Sequence, residues 1–136
     1  MNMSKSRELT YFLLRVVSGL LFFQAGSMKF VGWFGGMPGS NGGTALLMSQ
    51  AGIGGMLEFF GGIAIMLGLC TGPVAFILAG EMAVAYWQFH APGGAWPILN
   101  HGESAVLFCF IFLYMAAKGG GEWSADAFIR SKRGAA

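Results

Sequence analysis

The chain has 136 residues, of which 55% are hydrophobic, 10% are charged and 23 are glycine, and its formal net charge is +2. An ordinary soluble domain carries about 25% charged residues, so this composition excludes that class and predicts an integral membrane protein. The size predicts a single domain over residues 1–136, and the few dispersed basic residues exclude nucleic-acid binding.

Positive charge gathers at the two ends of the chain. Lys5 and Arg7 precede the first apolar run, and four basic residues follow the last one: Lys118, Arg130, Lys132 and Arg133. Basic flanks stay on the inner side, so we expect a multi-pass protein of the cytoplasmic (inner) membrane with both termini cytoplasmic and an even number of spans. A cleaved signal peptide is the alternative for the N-terminus, but Arg15 interrupts its apolar stretch, so the first helix is expected to be retained.

The apolar runs predict an all-α antiparallel bundle of four transmembrane helices. The expected spans are residues 9–31, 45–69, 74–89 and 102–117. The uncharged run from Phe59 to Gly80 is long enough for one helix, but Thr71-Gly72-Pro73 is typical of a helix stop and restart. We therefore place a cytoplasmic turn at Cys70–Pro73. The tail over residues 122–133 mixes aromatic and charged residues and predicts a short interfacial helix.

Every predicted span contains at least one ionisable side chain, which is costly in hydrocarbon and therefore indicates function. A rise of about 1.5 Å per residue puts Arg15 and Glu81 at one level, about 10 Å above the inner boundary, so we expect them to pair. Glu58 lies near the middle of the bilayer and Glu103 opens the fourth span. These four residues form the candidate polar centre, and none is assigned a catalytic role.

A second set of residues, polar or aromatic, is a candidate for binding a cofactor: Gln24, Lys29, Trp33, His90 and His101. Of these, Lys29 and the two histidines are expected at the outer rim of the bundle, together with Asn100 and Glu103. The two histidines together with Glu103 raise the question of a metal. They lack a recognised ligand spacing, so no metal site is assigned. No Ser or Cys lies at a recognised spacing from a base, so no nucleophile is predicted.

The embedded charges allow two interpretations, and both stay open. In one they form a structural network, with Arg15 paired to Glu81 and Glu58 hydrogen-bonded or protonated. In the other they surround the polar head of a ligand, such as a quinone or a small acid, and the glutamates carry protons. The small residues nearby are expected to be packing seams: Gly54-Gly55, Gly61-Gly62, and Ala75, Ala79 and Ala83.

Several blocks match a known pattern. They are residues 24–36, Glu58 with its flanking glycine pairs, Glu81, residues 100–103 and residues 121–126. Together they resemble the DoxX family. The resemblance implies a four-helix bundle in the cytoplasmic membrane. It also implies a link to redox chemistry, because some relatives are associated with thiosulfate oxidation that passes electrons to quinone and others with oxidative-stress complexes. Many relatives have His where this chain has Ala25, and Gly where it has His101.

The leading hypothesis is therefore a DoxX-like membrane subunit that supports redox or quinone-linked chemistry, with quinone as the candidate cofactor and a protein partner or larger membrane complex beside it. The rival is a non-enzymatic accessory or assembly subunit. A third option, a small-solute transporter, requires an open polar path. Whether the chain is itself an enzyme stays open.

Overall fold

A computed structural model describes residues 2–135, which form helices and turns without any strand. The helices are α1 (Met3–Phe30), α2 (Gln50–Leu67), α3 (Thr71–Ala85), α4 (Pro97–Asn100), α5 (Glu103–Lys118) and α6 (Ala125–Gly134). A π-helical turn over Tyr86–His90 extends α3, and short 3-10 turns lie at Trp33–Gly35 and Ala91–Gly93. The all-α prediction is confirmed.

Glycines bring α1 and α2 into direct backbone contact. Gly19 faces Gly62 and Gly26 faces Gly55, so the two helices run antiparallel. A methyl group on Gly19 would lie 2.7 Å from the carbonyl oxygen of Gly62, and one on Gly26 would overlap the backbone of Phe59. Small residues allow this close approach, which gives α1 and α2 a tight shared surface.

The other long helices complete an antiparallel arrangement. Gly72 of α3 approaches the Ala116 carbonyl of α5, while Tyr86 packs on Gly102 at the far end. Between α2 and α3 the contact is looser and is made by Gly61 and Leu78. The Phe22 ring of α1 meets Phe112 of α5 edge-on, with the ring centroids 4.6 Å apart. We call the end with the Gly68–Cys70 turn the turn end, and the end with residues 31–49 and 91–102 the loop end.

The outer surface of this bundle is strongly apolar. Large side chains such as Val17, Phe76 and Phe110 are more than half exposed, whereas the core between the helices holds Ile65, Phe112 and other fully buried residues. By length and composition α1 and α2 can each cross a membrane, with a mean hydropathy of 1.4 for both. An exposed apolar surface of this extent is typical of contact with lipid.

The helix ends differ from the predicted spans for local reasons. α2 begins at Gln50, later than expected, because the Ser49 hydroxyl caps it by accepting the Gly52 N–H at 3.1 Å. The turn before α3 lies at Gly68–Cys70 and not at Cys70–Pro73, with Gly68 and Cys70 both at positive φ. Pro73 lies in the first turn of α3. Backbone N–H groups there have no acceptor within the helix, so the N–H that proline lacks leaves no helical hydrogen bond unmade.

Candidate functional site

A cavity of about 780 Å³ lies between α2, α3 and α5 at the half of the bundle nearer the loop end. Its volume is in the range that holds a small organic ligand. Most of the lining is apolar, including Leu57, Ile77, Met82 and Phe108. The polar lining residues come from five segments: Lys29, Gln50, Glu58, Glu81, His90 and Ser104.

An ion pair forms one wall of the cavity. The Lys29 Nζ atom donates to Oε1 and Oε2 of Glu58, at 2.7 Å each. The Glu58 side chain is 6% exposed. Each Cα–Cβ bond leans toward the N-terminus of its own helix, so side chains on antiparallel helices converge from opposite directions. Gly55, against the Lys29 Cβ atom, leaves room for the lysine stem. The structure thus joins two residues that were predicted at different levels.

Glu81 lines the same cavity as this pair. Its Oε1 atom lies 3.0 Å from the point where Gly54 would carry a Cβ atom, so the glycine makes space for the carboxyl group. Its Oε2 atom is buried and has no hydrogen-bond partner among residues 2–135. An ammonium group has three N–H donors, and Glu58 accepts two of those of Lys29. Glu81 therefore has one carboxylate oxygen without a partner, and the Lys29 ammonium has one N–H that Glu58 does not use.

The π-helical turn positions Phe89 and His90 on the cavity lining. The Nδ1 atom of His90 is 3.1 Å from the Asn100 carbonyl oxygen. The buried Asn100 side chain in turn donates to the Gly94 carbonyl at 2.9 Å and accepts from the Gly102 N–H at 2.8 Å. π-helical turns often occur at functional sites, and this one is fixed by the loop-end network.

The predicted pairing of Arg15 with Glu81 is wrong. The Arg15 side chain is 1% exposed. Its Nη1 atom donates to the carbonyl oxygens of Ile65 and Met66, both at 2.7 Å, and its Nη2 atom donates to that of Trp123 at 2.6 Å. Arg15 is level with the last turn of α2. Glu81 lies ten residues into α3, about 15 Å from the turn end. The two levels were predicted incorrectly because the first and third helices begin earlier than the predicted spans, at Met3 and Thr71.

The other candidate residues do not reach the cavity. Gln24 is partly buried on α1 and is absent from the lining. The Trp33 ring packs edge-on against Phe23 and Phe59. His101 is exposed and ends α4 at positive φ, and Glu103 is exposed in the first turn of α5. Within residues 2–135 no group of three His, Cys, Asp or Glu side chains could hold a metal ion.

A second polar cluster lies at the turn end and holds α6 against the bundle. The Asp126 carboxylate accepts the backbone N–H groups of Cys70 and Thr71 at 2.7 and 2.9 Å. Partial burial alone would raise the pKa of Asp126, but the hydrogen bonds from Thr71 and Cys70 outweigh it and lower that pKa. The Glu122 N–H and the Lys118 ammonium likewise lower the pKa of Glu8. This cluster is structural and separate from the cavity.

Sequence reasoning missed two polar lining residues, Gln50 and Ser104. It also missed the hydrogen bond between the side-chain amides of Gln50 and Gln88. Both lining residues lie in the first turn of a helix, and nothing in their spacing signals a cavity. Asn100 was placed at the outer rim, yet its side chain organises the loop end. Its position inside the Asn100–Glu103 block was the available signal.

Comparison with known proteins identifies relatives over most of the chain. The DoxX family model matches residues 10–91. An uncharacterized protein of Haemophilus influenzae is 37% identical over 92% of this chain and 94% of its own length. The Escherichia coli inner membrane protein YqjF is 27% identical, covering 96% and 99%. A Bacillus subtilis protein named "putative oxidoreductase CatD" is 28% identical, covering 93% and 92%. No solved structure matches the chain significantly.

Proposed function

The chain belongs to the DoxX family of membrane proteins, and we propose that it is an inner-membrane subunit that binds a quinone-type ligand and supports redox chemistry. In this proposal α1, α2, α3 with its π-helical extension, and α5 each cross the bilayer. The relatives named as an inner membrane protein and as an oxidoreductase support the location and the class of chemistry.

The observation that carries the proposal is the unpartnered, buried Oε2 atom of Glu81, a residue that lines the same cavity as the Lys29–Glu58 pair. A buried polar atom without a partner is destabilising by about 1–3 kcal/mol, so a ligand that satisfies it is favoured. The head of a quinol has the complementary groups, namely a hydroxyl that can donate to Glu81 and an oxygen that can accept from Lys29. The apolar lining suits the ring.

The proposal assigns no electron-carrying cofactor to this chain, so the reaction requires a partner protein that supplies electrons. A partner oxidoreductase delivers two electrons to the bound quinone, and the quinone takes up two protons to become quinol. In this proposal the Glu81 carboxyl group gives one proton to the nearer ring oxygen, and water supplies the proton that the other ring oxygen takes up. The role of Lys29 and Glu58 is to orient the head without adding net charge to the cavity.

A binding measurement tests this function. The chain is purified in detergent, and 2,3-dimethoxy-5-methyl-1,4-benzoquinone in its reduced form is titrated against it. Replacement of a charged hydrogen-bonding partner by an isostere costs about 1.5–3 kcal/mol, so Glu81→Met is expected to weaken binding at least about tenfold. The matched control is Glu103→Met, which removes an exposed carboxyl group outside the cavity and is expected to bind like the parent chain.

Two results would contradict the proposal: no binding by the parent chain, or equal losses in the two variants. A chain that binds no quinol but purifies in fixed proportion with a membrane complex would instead be an accessory subunit.

We also propose that the turn end and both termini are cytoplasmic. Lys5, Arg7 and the basic residues of α6 support this orientation, because such residues remain on the inner side. A C-terminal fusion to green fluorescent protein is expected to fluoresce, whereas a C-terminal alkaline phosphatase is expected to be inactive. Active phosphatase together with a dark fusion would reverse the orientation.

A further inference from the structure

A second, wholly apolar cavity of about 400 Å³ lies along the outside of the α2–α3 contact. Its lining includes Met56, Phe60 and Ala64 of α2 and Val74 and Leu78 of α3. It adjoins the first cavity, because Ile53, Leu57 and Ile77 line both. The polar site and this apolar groove, which we call the α2–α3 groove, are therefore neighbours that share one wall.

The α2–α3 groove has the length and position of a slot for an extended chain. Along α2 it reaches from Ile53 to Ala64, eleven residues or about 16 Å. Two of its walls face outward, since Phe60 is 58% exposed and Ile77 is 52% exposed. In a bundle that crosses the membrane this side faces the acyl chains. The groove is thus open to lipid along its length.

The helix contacts on either side of the α2–α3 groove are tighter. α1 and α2 meet through glycine backbones, and α3 meets α5 through buried residues that include Ala75, Ala79 and Ala105. At the loop end the side-chain amides of Gln50 and Gln88 are hydrogen-bonded across the gap between α2 and the extension of α3. The α2–α3 contact is therefore looser than the α1–α2 and α3–α5 contacts on either side of it.

We propose that the ligand is amphipathic, that its single apolar chain lies in the α2–α3 groove, and that it enters the cavity sideways from the bilayer. The inference rests on the proposed function, which supplies the polar head beside Lys29, Glu58 and Glu81. It adds the requirement for a chain and a path. The apolar chain leaves the lipid for a groove that is also apolar. Its contribution to the binding free energy therefore comes from close packing in a pre-formed groove.

Photolabelling locates the chain directly. The probe is the same dimethoxy-methyl-benzoquinone head with a ten-carbon chain that ends in a diazirine, added to the full-length protein in lipid nanodiscs. Labelled peptides are expected within residues 53–64 and 74–78, and an excess of the chain-free quinone should suppress the labelling. Labelling concentrated on the outward faces of α1 and α5, or labelling that the chain-free quinone does not suppress, would overturn the inference.

A steric variant gives an independent test. Ala64→Phe fills the far end of the groove, so it is expected to weaken binding of the ten-carbon quinone about tenfold and to leave the chain-free quinone unchanged. Ala117→Phe, an equally large change on an exposed site near the turn end of α5, is the matched control. Phe60→Ala enlarges the same groove and introduces no steric crowding, so this variant should fold like the parent chain. Its photolabelling pattern should nevertheless shift.

The two proposals fail separately. If the chain-free quinone binds and Ala64→Phe treats both quinones alike, the groove is not the chain site, while the proposed function stands. If the chain-free quinone does not bind the parent protein, both proposals are wrong.

Discussion

The ammonium of Lys29 and the carboxylate of Glu58 are joined by two hydrogen bonds of 2.7 Å across the contact between α1 and α2. Glu58 is almost fully buried, while about a third of the Lys29 side chain is exposed. The pair ties the tightest helix contact in the fold to the wall of the proposed ligand site. Its charges are balanced only when both residues are present.

We expect the pair to be strongly coupled. In a double-mutant cycle, Lys29→Met and Glu58→Gln should each destabilise the protein, and the double variant should recover about 1–3 kcal/mol relative to the sum of the two. Thermal unfolding in detergent measures each free energy. The comparison pair is Lys118 and Glu8, joined at 3.0 Å at the turn end, whose expected coupling is below about 1 kcal/mol. Equal coupling in both pairs would contradict the assignment.

Substitution of Arg15 by either Met or Lys should lower the free energy of unfolding. Arg15→Met leaves the Ile65, Met66 and Trp123 carbonyls without their charged donor, so the free energy of unfolding is expected to fall by about 2–4 kcal/mol. Arg15→Lys keeps the charge but not the planar fork of donors, so it should recover only part of the loss. Chemical unfolding in mixed micelles compares the three proteins. Full recovery by lysine would show that charge alone matters.

The α1–α2 contact should reject even one methyl group. Gly26→Ala places that group against the Phe59 backbone, and the expected loss of stability is about 1–3 kcal/mol. Gly80→Ala is the matched control, since Gly80 is also inside a helix but has no atom within 4 Å of its Cβ position. Melting temperatures of the two variants provide the measurement. A stable Gly26→Ala protein would mean that the helices are farther apart than described.

The attachment of α6 should weaken in acid. The folded pKa of Asp126 is lower than its unfolded value of about 3.9, so its stabilising contribution is complete above about pH 4 and is lost as the pH falls through the folded pKa. Glu8 has a lowered pKa as well and contributes in the same window. Limited proteolysis of the tail between pH 3 and pH 7 reports the attachment.

Asp126→Asn should expose the tail at neutral pH and flatten the acid dependence in part. It replaces one of the two acceptor oxygens at the start of α3 by an NH₂ group, a change worth about 0.5–2 kcal/mol. The double variant with Glu8→Gln should flatten the dependence further. Glu103→Gln, at the opposite end of the bundle, should leave the profile unchanged. A profile that is identical in the parent chain and the double variant would contradict this account.

Composition and small-residue patterns predicted the helical class and the packing seams. Gly55 and Gly62 face α1, as a seam requires, and Ala75 and Ala79 are buried. The pattern could not show that Gly54 and Gly61 serve a different contact, toward Glu81 and Leu78. Adjacent residues on a helix point about 100° apart, so one glycine pair serves two neighbours, and only the packed structure assigns them.

The polar residues were harder to place because sequence gives a level along the helix and not a direction around it. Lys29 was predicted at the rim, yet its stem turns back toward Glu58 as side chains on a helix do. The level of Glu81 was misjudged because α3 begins at Thr71, ahead of the proline that marked its expected start. An error of three residues moves a side chain by about 4–5 Å, enough to choose the wrong partner.

The helices of the bundle are not equally constrained, because α1 and α2 are in close contact through glycines while the α2–α3 contact is looser. α1 and α2 cannot separate without breaking backbone contact, and the Gly68–Cys70 turn is clamped by Arg15 and Asp126. Compliance is therefore concentrated in α3 and α5, which can tilt together about the fixed turn end. A tilt about the turn end would change the separation of α2 and α3 most at the loop end, where the Gln50–Gln88 hydrogen bond opposes it.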